Sequence, residues 1–499
     1  MSLSLKGDSS NGAATESTPL LGSSADDPPI SINEGEIISH GKADDDEDNP
    51  KPSNHEEDKP LPKLQIFLLC YARMIEPIAF FGIFPFINEM IWRTGDLDKA
   101  DVGFYSGLIE SLFSLTQMLL MISWGRAADR IGRKPVLVFS LAGVSIATAT
   151  FGLSRAIWQM VLFRCCAGVF AGTIVTIRTM LSEHSTPKTQ ARAFSFFAFA
   201  GNVGIFLGPL IGGGLADPSN QIGGFFKNIQ FVRDYPYALS TFATGIIGAS
   251  AAIACALFIK ETLEKKVKGD NTTSSPTPMT TWELLKTPGV GVVLTLYGHV
   301  MLLGLAYTAV CPVFWFTPPH LGGYGFTPLQ ISMFLGGIGI SQAIWLLLAF
   351  PPLQRRFGTG MILRGCYIAW PIFFVAAPVC NLFLRWGGKW EIAFWIVAPT
   401  LQIGGSGVSM AFTGVQLALN DIAPNHKTLG TLNAIALTLV SGIRTVGPAF
   451  FTSIFAAGAK TQFMNGYLIW VVLVLIALPG TLGIRWLPKK AEGRIVQEE

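Results

Sequence analysis

Charge is scarce in this chain of 499 residues: Asp, Glu, Lys and Arg together make up 14%, against about 25% in ordinary soluble domains. Six histidines and seven cysteines show no spacing that suggests a zinc site or a redox pair. The cysteines, at 70, 165, 166, 255, 311, 366 and 380, are odd in number and sit mostly within apolar runs, which argues against a disulfide-stapled secreted module and for small packing side chains. No phosphate-cradling glycine loop, no metal-ligand cluster and no nucleophile with a base can be picked out. The chain therefore reads as neither an enzyme nor a nucleic-acid binder, with no cofactor and no metal.

Apolar residues are abundant instead. They supply 50% of the sequence, the mean hydropathy is +0.45, and runs of about 20 residues, each long enough to cross a bilayer, recur from Leu64 to Trp486. Twelve spans are expected, at about 64–91, 101–124, 135–153, 157–181, 192–215, 236–259, 288–316, 327–350, 361–384, 390–417, 428–454 and 463–486. The expected fold is an all-α membrane protein of two six-helix pseudo-repeat halves.

Charge is also unevenly placed. Residues 1–63 carry 14 acidic and 5 basic side chains, the rest of the chain 19 and 31. The acidic segment, rich in Ser, Asp, Glu and Pro, cannot bury enough apolar surface to order itself and reads as a disordered tail without a cleavable leader. Basic residues crowd one set of connections, including Arg126, Arg130, Arg133, Lys134, Lys260, Lys265, Lys266, Arg355 and Arg356. The positive-inside bias then puts both termini in the cytosol.

The polar stretch 260–287 reads as a linker between halves 64–259 and 288–486, with 487–499 as a C-terminal tail. Repetition supports this division. Gly208 and Pro209 recur as Gly447 and Pro448, Leu181-Ser182-Glu183 lies opposite Leu419-Asn420-Asp421, and Arg130-Ile131-Gly132 opposite Arg356-Phe357-Gly358. Duplicated halves of this kind enclose a site near the bilayer midplane.

Between spans two and three stands the string Gly125, Arg126, Ala127, Ala128, Asp129, Arg130, Ile131, Gly132, Arg133, Lys134. It resembles the loop signature of the major facilitator superfamily at every signature position, and the resemblance covers about residues 64–486. Span five adds Gly204, Gly208, Pro209, Gly212 and Gly213, similar to the signature of the drug:proton antiporter branch, with Ser195 where an outlying glycine usually sits. Arg164 and Gly168 in span four resemble the proton-linked arginine motif, although Ala167 and Phe170 depart from it. Trp124, with Arg73, Glu76 and Pro77, is most similar to tetracycline-resistance-type and zinc-induced-facilitator-like proteins. In the second half Arg355 stands where Asp129 would be.

The resemblance implies a secondary transporter that alternates access to a small-molecule site, with proton-coupled antiport as the leading expectation and a nutrient or metal-chelate importer as the alternative. A sensor that moves nothing is disfavoured, because no folded signalling module is recognisable. Charges at membrane depth are expensive and hence functional candidates. Arg73 and Glu76, three residues apart on one face, and Glu110 with Arg164 are the candidates for proton coupling, with Pro77 expected to disturb the helix beside Glu76. Asn202, His299, Gln342, Gln402 and Arg444 are candidates for the substrate cavity. The loop string with Glu183 is the expected gate, in which Asp129 and Glu183 would hold Arg130 or Arg133. Glu16 with Leu20 and Leu21 matches an acidic dileucine sorting signal, which would recruit an adaptor; the expected location of this monomer is a vacuolar or lysosomal membrane or the plasma membrane.

Overall fold

The computed structural model describes residues 61–263, 281–424 and 426–493. Glu16, Leu20, Leu21 and most of the 260–287 linker lie outside the described residues. Among those described, eleven helical stretches are long and apolar enough to cross a membrane. One of them, Pro328–Trp386, has 59 residues, which at 1.5 Å per residue is about 88 Å against a hydrocarbon core of about 30 Å. It turns at Gly358, whose φ of 77° a side chain would resist. The stretch is two crossings, and the total is twelve.

Span one runs Lys63–Phe81 and, after a turn, continues as Ile87–Gly95. Spans two and three are Val102–Ile131 and Arg133–Phe151. Span four is Ile157–Phe170 plus Thr173–Glu183, span five Pro187–Gly214 and span six Ala238–Phe258. Span seven is Val290–Phe316; span eight is Pro328–Ile344 with a π-helical turn at Trp345–Ala349. Span nine follows Gly358 to Trp386, span ten runs from Lys389 to Ile422, span eleven is His426–Thr461 and span twelve Leu468–Gly483.

Two expectations about irregular backbone are corrected. Pro77 sits inside an unbroken helix and Glu76 is helical; the break in span one comes later, at residues 82–86. Span four, expected to be continuous, is interrupted at Ala171 and Gly172, where ψ rises to 51° at Ala171. Neither residue is a proline. Side chains from spans two and three fill in for the lost helix bonds: Trp124 Nε1 donates to the Val169 carbonyl at 2.6 Å, Gln117 Nε2 to that of Ala171 at 3.1 Å, and Ser140 Oγ to that of Phe170. Irregular backbone at membrane depth survives only when its polar groups are satisfied in this way.

The buried apolar residues form three clusters. One takes residues from both halves, among them Phe84, Met90, Phe113, Phe314, Trp315, Phe455 and Trp470. Following the helix directions, it lies toward the face away from the 125–134 loop. The other two stay within single halves: Ile66, Leu137, Leu181 and Cys255 in the first, Val293, Leu363, Leu419 and Leu487 in the second. The halves are thus packed together at one face and parted at the other, the face that carries the 125–134 loop.

Small residues permit the close packing. Gly204, Gly208 and Gly212 repeat along one face of span five and lie on the backbone of span one; a Cβ on Gly204 would stand 2.6 Å from the Met74 carbonyl. Gly213 faces span eight, where a Cβ would stand 2.7 Å from the Pro328 carbonyl. Residues 487–493, read from the sequence as tail, pack on the second half, with Ala491 fully buried.

Candidate functional site

Between the halves lies a cavity of about 380 Å³ lined by Glu76, Ser114, Gln117, Met118, Met121, Ile174, Val175, Arg178, Thr179, Leu437, Val440, Ser441 and Arg444. Its walls come from spans one, two and four of the first half and span eleven of the second. Met121, Thr179 and Leu437 lie nearer the parted face than Glu76 and Arg444 do, so the cavity extends from mid-depth toward that face. A larger groove of about 530 Å³ between spans eight, nine and ten is lined by Trp345, Phe357, Ala369, Phe373 and neighbours without a single charged side chain.

Glu76 is the carboxylate of the cavity. It is 7% exposed, and it accepts hydrogen bonds from Gln117 Nε2 at 2.5 Å and from Thr173 Oγ1 at 2.9 Å. Gln117 also holds Ala171, and Thr173 opens the second segment of span four, so the broken helix and the acid share one network. No ion pair joins Glu76 to Arg73 among the described residues. Arg73 instead lies over the Phe197 ring at 4.9 Å with its Nε unpartnered.

Glu110 is set apart. At 2% exposure it lies outside the cavity lining, within electrostatic reach of Arg164 and Arg444. Arg164 donates to the Ala79 carbonyl at 3.3 Å and sits over Phe113 at 4.5 Å, leaving Nε and Nη2 unpartnered. Arg444, from the other half, lies over Phe80 at 4.2 Å. A ring face returns about 0.5–2 kcal/mol to a cation, while an arginine at mid-bilayer costs about 2.5–3.5 kcal/mol or more. The rings alone do not offset the burial.

The other cavity candidates are placed elsewhere. His299 donates from Nε2 to the Ile476 carbonyl at 2.8 Å and stacks on Tyr367, inside the second half. Gln402 donates to Tyr307 Oη at 2.6 Å; it and Gln342 border a void of only about 40 Å³ within that half. Asn202 is exposed on span five. His299, Gln342 and Gln402 are corrected as cavity residues, because helix rotation turns each into the second half; Asn202 shares the face of span five that carries Phe206 and Leu210 toward span eight and is not part of the lining of the 380 Å³ cavity. Gln117, Thr173 and Arg178 were missed, and for Arg178 the signal was available: an arginine in an apolar run, the same feature that singled out Arg164.

At the parted face the loop string folds back on the first half. Arg133 Nη2 lies 3.2 Å from Asp129 Oδ1 and 3.1 Å from Glu183 Oε1, while Arg126 and Arg130 are exposed. Glu261, which the sequence reading passed over, caps span three: its carboxylate accepts from the Arg133 amide at 2.8 Å and the Lys134 amide at 3.1 Å. Burial alone would raise this carboxyl, but together with Thr262 and Leu263 four backbone N–H groups outweigh that and hold it below the usual glutamate range. Gly132, φ 121°, leaves the space, since a Cβ there would stand 2.6 Å from Glu261 Oε2. The second half has a counterpart in Glu492, which pairs with Arg364 near the start of span nine.

At the packed face the halves are bonded to each other. Lys460 Nζ donates to both oxygens of Asp101 at 2.8 and 3.0 Å, Ser332 Oγ to the Pro209 carbonyl at 2.6 Å, and the Ala449 amide to Ser111 Oγ at 2.9 Å. Both Gly-Pro repeats thus lie on the seam.

A two-fold arrangement of six and six spans, parted at one face over a charged cavity, is an alternating-access geometry, and sequence comparison agrees with it. The family model described as Major Facilitator Superfamily matches residues 69–448. The chain belongs to the major facilitator superfamily. It is a transporter and not an enzyme. Similar to it is the efflux pump azaK of Aspergillus niger, 52% identical over 86% of this chain and 89% of that one. ZINC INDUCED FACILITATOR-LIKE 1 of Arabidopsis thaliana is 27% identical over 83% of this chain and 88% of its own length. Among solved structures, an inward-facing, unoccupied bacterial homologue of the human lysosomal transporter Spinster superposes with a TM-score of 0.61 at 17% identity. It covers 87% of this transporter and 98% of that chain.

Proposed function

We propose that this transporter exports a small organic molecule in exchange for protons, with both termini and the parted face in the cytosol. The observation that carries the reading is Glu76: a carboxylate at mid-depth, lining the space between the halves and hydrogen-bonded to the interrupted segment of span four. Such a group binds a proton more or less tightly as desolvation and its donors change between states. Glu110 is walled off from the cavity, which favours Glu76 as the coupling acid. The 52% identity to an efflux pump supports the outward direction. The seam at the opposite face and the glycine stripe of span five supply a tight closure against leakage.

The test is counterflow of a substrate panel in proteoliposomes under an imposed pH gradient. The reading expects one cargo to be accelerated by a proton gradient running opposite to it. Acceleration by a parallel gradient makes the protein a symporting importer, and indifference to the gradient removes proton coupling.

A further inference from the structure

Six ionisable side chains cluster at mid-depth around the cavity: Arg73, Arg164, Arg178 and Arg444 against Glu76 and Glu110. Their charges do not balance; two positive charges are left over. The acids are already engaged, Glu76 by Gln117 and Thr173 and Glu110 by the fields of Arg164 and Arg444. Arg178 and Arg444 both line the cavity. Among the described residues neither makes an ion pair or a hydrogen bond, and Arg178 Nε is buried without a partner. Arg73, Tyr297 of span seven and Glu76 are the charged or titratable groups near Arg178, and Glu76, Arg73 and Glu110 those near Arg444; among the described residues Glu76 is shared among these arginines without an ion pair to any of them, so a positive excess remains.

We infer that Arg178 and Arg444 form an anion subsite and that the cargo is an organic acid, a carboxylate or similarly acidic oxygen on an apolar body. The guanidinium fork matches a carboxylate, and the apolar part of the wall, from Met118, Met121, Ile174, Val175, Leu437 and Val440, fits the apolar body. Arg178 belongs to the first half and Arg444 to the second. Both line the one cavity, so an anion accepted there meets positive charge from each half and favours closing over the cargo. A neutral or cationic cargo would leave the two charges to be buried unpaired whenever the cavity occludes.

This inference rests on the transport reading but not on its proton coupling. The test uses the full chain in nanodiscs, probed with three aromatic acids, 1-naphthoate, 9-anthracenecarboxylate and diphenylacetate, each against its primary amide. Thermal stabilisation is read over a concentration series. At least one acid is expected to bind about tenfold or more tightly than its amide, the loss typical of one charge-assisted hydrogen bond. Arg444→Gln should erase that preference and Arg444→Lys should keep part of it. Arg178→Gln, on a different helix, provides the same readout if the Arg444 variants do not fold. Amides that bind as well as the acids, or acids that do not bind, overturn the anion subsite. Transport of neutral cargo in counterflow would leave the transporter reading standing while the subsite fails; acids that bind but are not moved would do the reverse.

Discussion

Ser332 Oγ donates to the carbonyl of Pro209 at 2.6 Å, joining span eight of the second half to span five of the first beside the glycine stripe. Removing the hydroxyl loses one buried hydrogen bond, about 0.5–1.5 kcal/mol. Ser332→Ala should shift the balance between the two open states about threefold to tenfold away from the form closed at this face. Gly213→Val, which drives a side chain against the Pro328 carbonyl, should do so more strongly. Double electron–electron resonance between labels on spans five and eight reads the change; unaltered distance distributions in both variants would sink the idea.

Lys460 and Asp101 close the same face at its exposed rim. Solvent screens such pairs, so Lys460→Gln should have a small effect that disappears in high salt. An effect as large as that of Gly213→Val, or one independent of ionic strength, would contradict this ranking.

Glu76→Gln should abolish accumulation driven by a pH gradient while leaving counterflow intact, because the amide keeps a hydrogen-bonding group but cannot carry the proton. If Glu76→Gln accumulates cargo with the wild-type pH dependence, Glu76 is structural and Glu110 takes its place as the coupling acid.

Glu261 braces the 125–134 loop through the amides at the start of span three. Its carboxyl lies below the ordinary glutamate range in the folded protein, so the brace is fully present above that ordinary value and is lost as the pH falls through the lower folded one. Hydrogen exchange of the Arg133 and Lys134 amides should be slow at neutral pH and fast in Glu261→Ala. Asp129→Asn should slow exchange between the open states more than it weakens cargo binding, since Asp129 and Arg133 lie at the parted face and not in the cavity.

Asn271 begins an Asn-x-Thr sequon in the linker. With the linker cytosolic it should remain unglycosylated in a eukaryotic host, and a glycosidase-sensitive mass shift that vanishes in Asn271→Gln would invert the topology.

The number of spans, the loop string and the glycine stripe could be read from the sequence because each is a local matter, and the two halves because the Gly208-Pro209 pair recurs as Gly447-Pro448. A run of apolar residues specifies a crossing by its length, and a glycine every fourth residue specifies a face. Even Glu76 and Arg444 could be singled out, since a charge in an apolar run is expensive wherever it points.

Where those charges point was decided by tertiary packing. Span four breaks at Ala171 with no proline because Trp124, Gln117 and Ser140, from spans two and three, take over the carbonyls that the helix gives up. Glu76 is bonded to Gln117, 41 positions away, and Thr173, 97 away, rather than to Arg73 three residues along. His299, Gln342 and Gln402 turn into the second half while Arg178 and Arg444 turn into the cavity. A helix presents every direction in 3.6 residues, so a sequence can establish that a polar side chain lies at membrane depth, but only the neighbouring helices settle which side chain faces the cargo.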